Sequence, residues 1–153
     1  MKIRTAFSGY HEVESLEDVL ARVAQLGWAK GEDSFVVCDK GDGGFVQAAI
    51  KRPDQYIVEW CVGTDPTCPQ RGLWRAQNSE TLGARITRGS QEAGQFALYQ
   101  GDFLTCTDVA GVFTAFWHGQ PWPRHIHWRD LAPEMTGYIR AIDERHGRMS
   151  LCE

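Results

Sequence analysis

The stretch from Ser34 to Val62, SFVVCDKGDGGFVQAAIKRPDQYIVEWCV, decides the predicted fold of this chain. It contains three runs of strand-forming residues, at 34–39, 44–51 and 56–62. The first two runs flank Lys40-Gly41-Asp42-Gly43, which predicts a hairpin because glycine supplies the positive φ that tight turns need. A second turn at 52–55 contains a proline, which presets φ near about −65°.

The third run alternates in the way that is typical of a strand with one buried face. The two predicted faces are Tyr56, Val58, Trp60 and Val62 on one side, and Ile57, Glu59 and Cys61 on the other. The three runs together therefore predict an antiparallel meander that rests one face on the core.

A helix is predicted before the meander. Ser15 and Asp18 have the spacing of a capping box, and Gly27 is expected to end the helix. The apolar positions at helical spacing are Leu16, Val19, Leu20, Val23 and Leu26.

Two more helices are predicted after the meander. The first opens at a second capping box, Thr105 with Asp108, and closes at Gly119. Its apolar stripe is Val109, Val112, Phe113 and Phe116. The last helix is expected to start near Asp130 and Pro133. Its apolar stripe is Leu131, Met135, Tyr138, Ile139 and Ile142.

The order of these elements indicates an α+β protein, with an antiparallel β-meander sheet packed against one N-terminal and two C-terminal helices. Residues 63–94 show no regular pattern, although a short strand is expected near 82–86 and another at 95–99. A length of 153 residues is typical of one domain, so residues 1–153 are expected to form a single α+β domain.

Composition and charge argue against several classes of protein. The chain has 20 acidic and 16 basic residues and a net charge of −4, whereas a nucleic-acid binder normally carries a basic face. Charges interrupt the apolar run that an N-terminal signal peptide needs, and no window approaches about 18 consecutive apolar residues. Five cysteines without a framework spacing indicate reduced, packing thiols. We therefore expect a cytoplasmic protein that binds neither membrane nor nucleic acid.

Three histidines, His118, His125 and His127, are the first candidates for chemistry because they lie close together in the sequence. A zinc site needs three or four ligands at a recognisable spacing, and no cysteine or carboxylate completes one nearby. Solvated or packing histidines are therefore the interpretation, and no metal or cofactor is predicted.

Catalytic motifs are also missing. Cys106 lies near a helix start, where a thiol pKa can be lowered, but no nucleophile signature surrounds it. Glu59 could act as a general base on the sheet, although an exposed strand residue is the default. The glycines at 41–44 lack the spacing and the lysine of a phosphate-binding loop, and no G-x-S-x-G occurs. The chain is not predicted to be an enzyme.

An aromatic segment, FWHGQPWPRHIHW at 116–128, joins the two C-terminal helices. Its glycine, two prolines and three tryptophans predict a rigid connector that plugs the end of the sheet. The alternative is a binding face, because tryptophan and arginine are over-represented in interface hot spots.

Several of these parts together resemble the Imm1 group of immunity proteins. The resemblance rests on the capped first helix, on the meander that ends in Tyr-Ile-Val-Glu-Trp, and on Phe113-x-x-Phe116, Gly119-Gln-Pro-Trp-Pro and Ile126-His-Trp128. Proteins of that group are small, cytoplasmic and α+β, are encoded beside bacterial polymorphic toxins, and bind and block the toxin domain. The resemblance implies no catalytic residues.

The expected function is accordingly the neutralisation of a cognate, basic toxin domain by occlusion, with acidic residues steering the partner. The candidate contact residues form the densest acidic cluster: Glu12, Glu14, Glu17 and Asp18. An acidic first helical turn is also explained by the helix dipole.

Two alternatives stay open. One is a small enzyme or ligand-binding domain with a pocket near His125, His127 and Glu59. The other is a secretion or folding adaptor, which predicts a broad exposed apolar patch on the helices. The sequence does not determine the oligomeric state.

Overall fold

The computed structural model describes residues 1–27, 29, 31–41, 44–62, 72–81, 83, 85–86 and 97–134. They form an α+β fold built on a seven-stranded antiparallel sheet, as the sequence predicts. The elements in chain order are β1 (Lys2–Thr5), β2 (His11–Glu12), α1 (Leu16–Ala24), β3 (Phe35–Asp39), β4 (Phe45–Arg52), β5 (Gln55–Cys61), β6 (Leu73–Asn78), α2 (Cys106–His118) and β7 (Ile126–Asp130).

The sheet has the strand order β2-β1-β3-β4-β5-β6-β7, so β2 and β7 are its two edges. The predicted meander forms its centre, where Val36 pairs with Ala48 and Ala48 pairs with Val58. The first hairpin turn closes with Lys40 N donating to Gly44 O at 3.1 Å, and Gly41 has φ +84°. The glycine in this turn thus supplies the positive φ for which it was predicted.

Helices α1 and α2 pack against one face of the sheet, here called the helix face. The largest fully buried side chain is Phe113 of α2. Around it lie the apolar residues that point from the strands toward the helices, including Ile3, Val36, Val46, Ala48 and Val58. The amphipathic spacing read from the sequence therefore corresponds to the packed side of each helix.

Both predicted caps are present. The Ser15 hydroxyl accepts a hydrogen bond from the N–H of Asp18 at 3.2 Å, although α1 ends at Ala24, before the predicted Gly27. Gln25 caps the helix in an αR conformation, with its N–H bonded to Ala21 O, so the chain leaves the helix without needing glycine.

Helix α2 has the reciprocal capping box predicted for Thr105 and Asp108. It closes at Gly119, which is left-handed with φ +64°. Residues 132–134 are helical, where the last helix was expected to begin, and its later positions lie outside the described residues.

Three strands were missed by the sequence analysis, of which β2 is only two residues long. β6 lies in the region that showed no pattern, and β7 lies in the segment interpreted as a connector between helices. The correction for β7 has a physical basis, because Ile126 and Trp128 face the helices while His127 and Arg129 face the other side. Five residues that alternate in this way are long enough to pair with β6.

Smaller corrections concern the sheet periphery. Val62 is 57% exposed because it lies beyond the end of β5, so the predicted alternation holds only as far as Cys61. The two short strands expected near 82–86 and 95–99 meet as one isolated bridge, Arg85 with Tyr99, within the described residues. None of the helices in the described part of the chain is long and apolar enough to cross a membrane.

Candidate functional site

The predicted acidic cluster occupies one edge of the sheet. Glu12 is in the edge strand β2, Glu14 follows it, and Glu17 and Asp18 form the first turn of α1. All four side chains are exposed. We call these four residues the acidic edge.

Two residues of the acidic edge already have partners. The Glu12 carboxylate is 4.0 Å from Lys2 Nζ, and both side chains are more than half exposed, so this ion pair adds little stability. Asp18 Oδ2 accepts a hydrogen bond from the Ser15 hydroxyl at 2.9 Å. Glu14 and Glu17 have no ion-pair partner among the described residues, and so the acidic edge keeps most of its negative charge.

The connection between β1 and β2, at the opposite end of β2 from Glu14, exposes two aromatic side chains. Phe7 is 70% exposed and Tyr10 is 50% exposed. Both lie within the described part of the chain, together with Val62 and Ile86 as the other large exposed apolar residues. We call Phe7 and Tyr10 the aromatic pair.

Hydrogen bonds hold the backbone that carries the aromatic pair. Phe7 N donates to Asp33 Oδ1 at 3.1 Å, and Thr5 N donates to Ser8 Oγ at 3.2 Å. The Arg4 guanidinium lies 5.8 Å from the centre of the Tyr10 ring, which is within cation–π range. The two rings are therefore presented to solvent by a fixed loop.

Sequence reasoning missed the aromatic pair. The available signal was the pair of aromatic residues in AFSGYHE, a stretch otherwise composed of small and polar residues. Phe7 and Tyr10 lie between β1 and β2, so no helix or strand brings their two rings into contact. Their exposure provides apolar surface on the same side of the sheet order as the acidic edge, and aromatic side chains of this kind are enriched in protein interfaces.

Glu59, the candidate general base, lies on the second face of the sheet, opposite the helices. Arg75 Nη2 donates to Glu59 Oε1 at 2.5 Å, and Gln47 Nε2 donates to Oε2 at 2.7 Å. The side chains of Glu59 and Arg75 are only 14% and 5% exposed. Because both carboxylate oxygens are engaged, Glu59 is a structural partner of Arg75 and not the exposed strand residue that the sequence suggested by default.

A recess of about 310 Å³ lies beside this ion pair. Its lining combines apolar and polar side chains from three strands: Phe35, Gln47, Ala49, Lys51, Ile57, Glu59 and Arg75. Neither His125 nor His127 is among these residues.

The three histidines do not converge with Glu59 or with one another. His125 Nε2 lies 2.7 Å from Asp108 Oδ1, on the helix side of the sheet. His127 is exposed on β7, and His118 is exposed at the last residue of α2. Within the described ranges, no three histidine, cysteine or acidic residues lie close enough to hold a metal ion. This arrangement gives the pocket alternative no geometric support.

The contact between Asp108 and His125 links the start of α2 to the segment before β7. Burial acts to raise the pKa of Asp108, but hydrogen bonds from the Thr105 backbone, from His125 and from the Thr105 hydroxyl outweigh it and lower the pKa below 3.8. A carboxyl group whose folded pKa is depressed stabilises the protein above its unfolded pKa, and this contribution is lost as the pH falls toward the folded pKa.

We therefore expect Asp108→Ala to lower the free energy of unfolding by about 1–2 kcal/mol near neutral pH, the usual cost of losing a helix N-terminal capping interaction. The difference from wild type should shrink below about pH 4, where Asp108 becomes protonated in the unfolded chain. Urea denaturation at a series of pH values measures both effects. Glu80→Ala, which removes an exposed carboxylate that has no hydrogen bond or ion pair within the described residues, is the control. A difference that stays constant down to the lowest pH would contradict this account.

The cysteines have packing environments. Cys38 and Cys61 are buried, and burial raises the pKa of the Cys38 thiol to about 12. Cys106, the candidate nucleophile, lies at the first residue of α2, and its N–H donates to Asp54 Oδ1 at 2.8 Å. Burial, followed by the neighbouring Cys106 thiol, raises the pKa of Tyr56. Cys38 is thus unsuited to nucleophilic chemistry near neutral pH.

Two tryptophans of the aromatic segment, Trp122 and Trp128, pack with Trp60 of β5 on the helix face. The rings of Trp60, Trp122 and Trp128 have centroid separations of 4.9 to 5.4 Å. All three pack against the core. This is the packing role predicted for the segment, although the segment ends in a strand of the sheet and not in a connector between helices.

Comparison of the chain with known protein families, with curated proteins and with solved structures found no match in any of the three.

Proposed function

We propose that this chain is an immunity-type protein, which binds a basic toxin domain and blocks that domain by covering its active surface. The aromatic pair and the acidic edge form the contact surface. The observation that carries the proposal is the 70% exposure of Phe7 and the 50% exposure of Tyr10 on a hydrogen-bonded loop that leads into β2, the edge strand of the acidic edge.

The aromatic pair is suited to supply binding energy. Phe and Tyr side chains each bury on the order of 150–250 Å² when covered, and tyrosine is enriched among interface hot spots. A loop that is already ordered loses little conformational entropy on binding. The two rings can therefore act as anchors, and the phenolic hydroxyl of Tyr10 can form a hydrogen bond to the partner.

The acidic edge is suited to select the partner. Four carboxylates at one edge of the sheet attract a basic surface, speed its approach and disfavour acidic partners. A nuclease or another enzyme that acts on a polyanion carries such a basic surface around its active site. A protein that covers this surface prevents the substrate from reaching it, without chemistry of its own.

The engagement of the candidate catalytic groups also favours binding over catalysis. Glu59 is bonded to Arg75 and Gln47, and Asp108 is bonded to His125 and Thr105. These groups stabilise the fold in pairs, whereas Glu14 and Glu17 are exposed and have no ion-pair partner among the described residues.

Co-expression with the product of the adjacent gene tests the proposal. We expect the chain to protect cells from that product and to co-purify with it. A neighbouring gene without toxic activity, together with the absence of protection, would refute the proposal.

The aromatic pair provides a sharper prediction. Replacing both residues, Phe7→Ser with Tyr10→Ser, should weaken binding by at least about 100-fold, because each hot-spot side chain contributes on the order of 2 kcal/mol. The matched control is Val62→Ser, which removes an equally exposed apolar side chain at the end of β5. A pull-down of the toxin domain over a concentration series measures the affinities. Equal affinities for the double variant and the control would place the interface elsewhere.

A further inference from the structure

Within the described residues, no strand pairs with the outer side of β7, the second edge of the sheet. Ser79 N donates to His125 O at 2.9 Å and Leu131 N donates to Leu73 O at 3.0 Å, so these two pairs are hydrogen-bonded pairs of the β6–β7 ladder. Bonded and non-bonded pairs alternate along an antiparallel ladder. His127 and Arg129 therefore direct their N–H and C=O groups toward β6. Ile126, Trp128 and Asp130 direct theirs away from the sheet.

The outward groups of β7 have few partners. Ile126 N donates to Pro123 O at 2.9 Å. Within the described part of the chain, no group bonds to the backbone N–H or C=O of Trp128 or Asp130, or to the C=O of Ile126. The indole N–H of Trp128 is buried and also lacks a hydrogen-bond partner among the described residues. An open edge with this many unused donors and acceptors favours pairing with another strand.

We propose that β7 pairs antiparallel with β7 of a second copy of this chain, about a two-fold axis at Trp128. Trp128 N–H then donates to Trp128 C=O of the second copy, and the reverse bond follows by symmetry. Asp130 N–H donates to Ile126 C=O of the second copy, again in both directions. The two seven-stranded sheets join into one.

The bonding pattern of this strand favours a copy of itself as the occupant. Ile126 has a free C=O but an engaged N–H, and Asp130 has a free N–H at the matching distance on the other side of Trp128. A two-fold axis at Trp128 pairs the free N–H of Asp130 in each copy with the free C=O of Ile126 in the other copy. The resulting interface is isologous, which is the commonest form of protein dimer.

Charge selects the register. With the axis at Trp128, His127 lies opposite Arg129 of the second copy, so the two guanidinium groups do not face each other. With the axis at Arg129, two guanidinium groups would lie directly opposite each other, which is unfavourable. The axis at Trp128 instead brings together two aromatic side chains.

The proposed dimer and the proposed function use different edges of the sheet, so neither depends on the other. The acidic edge is at β2, the opposite end of the strand order from β7. Each dimer would carry two acidic edges on its outer ends, and each could bind one partner. A failure of dimerisation would say nothing against partner binding, and the reverse also holds.

Analytical ultracentrifugation of the purified chain over a micromolar to millimolar range tests the inference. We expect a monomer–dimer equilibrium. Asp130→Pro, which removes an outward N–H while leaving the ladder groups of Arg129 intact, should raise the dissociation constant at least about tenfold, because two symmetric hydrogen bonds are lost. Asp130→Ala is the matched control, since it removes the same carboxylate but keeps the N–H.

A charge variant tests the register without altering the backbone. His127→Glu places a carboxylate opposite Arg129 of the second copy and should tighten the dimer several-fold, whereas His127→Lys should weaken it. Circular dichroism checks that each variant is folded. If the wild-type chain is a monomer at every concentration, the inference is overturned. This holds even if β7 then pairs with a strand of a different protein. A dimer that is unchanged by Asp130→Pro and by both His127 variants would overturn it as well.

Discussion

Replacing Asp102 by alanine is expected to lower the free energy of unfolding of this protein by about 3–5 kcal/mol. The Asp102 side chain is fully buried and lies shortly before α2 in the chain, in a 3-10 turn at Gln100–Asp102. It accepts hydrogen bonds from Gln77 Nε2 at 2.9 Å, Tyr99 N at 2.9 Å and Arg129 Nη2 at 3.1 Å. It is therefore the acceptor that joins β6, the turn and β7.

The physical reason for the size of this effect is the charge that is left behind. Without Asp102, the guanidinium of Arg129 keeps only Glu134 as an acidic partner among the described residues, and the side-chain amide of Gln77 loses its acceptor. Removing one partner of a buried ion pair costs about 3–5 kcal/mol. This is a large share of the roughly 5–15 kcal/mol that stabilises a domain. Urea denaturation followed by circular dichroism measures the loss.

Two further variants distinguish the loss of the Asp102 charge from the loss of its side-chain volume. Asp102→Asn keeps an acceptor and the side-chain volume, so it should lose less stability than Asp102→Ala. In the double variant Asp102→Ala with Arg129→Met, the buried cation is also gone. Its total loss should be smaller than the sum of the two single losses, by about 1–3 kcal/mol. Simple additivity, or a loss below about 1 kcal/mol for Asp102→Ala, would contradict the role assigned to this carboxylate.

Reversing charge on the acidic edge is expected to slow association with the toxin domain by about 10- to 100-fold. The variant carries Glu14→Lys with Glu17→Lys, because neither residue has a partner in the described structure and the fold should tolerate both changes. Asp18 is left unchanged because its N–H and carboxylate bond to Ser15 at the start of α1. Stopped-flow association rates measure the effect.

The dependence of the association rate on ionic strength tests whether the acidic edge steers the partner electrostatically. The wild-type rate should fall as ionic strength rises, and the variant should lose most of this dependence. Glu80→Lys, an exposed acidic position away from the β2 edge, is the matched control and should leave the rate within about twofold. If the control slowed association as much as the double reversal, net charge and not the acidic edge would be responsible.

The meander and the helix caps could be predicted because their signals are local. Gly41, Ser15, Thr105 and Gly119 each satisfy a requirement of the backbone within a few residues of themselves. Alternation from Tyr56 to Trp60 reported the buried face of β5 directly. Where a residue's role depends on its immediate neighbours in the chain, the sequence was sufficient.

The missed features depend on contacts that are distant in the chain. β7 pairs with β6 across about 50 intervening residues, so its partner cannot be inferred from local spacing. Its short run beside Pro121 and Pro123 has the local character of a connector. Asp102 was overlooked for the same reason, because Gln77 and Arg129 come from two different strands.

The candidate site was predicted in part. The exposure of Glu12, Glu14 and Glu17 follows from their charge, and the structure places them on one edge. The exposure of Phe7 and Tyr10 could not be derived from composition, because aromatic residues are buried by default. His125 and Glu59 were candidates by residue type alone, and each proves to be engaged in a separate pair.

The most direct test of the proposed function is a titration of the purified chain into the purified toxin domain from the adjacent gene. Calorimetry measures binding, and an assay of the domain's own activity measures inhibition in the same samples. We expect saturable binding with inhibition that follows the bound fraction, and a parallel shift of both curves for the variant Glu14→Lys with Glu17→Lys. The absence of binding, or binding that leaves the domain fully active, would contradict neutralisation by occlusion.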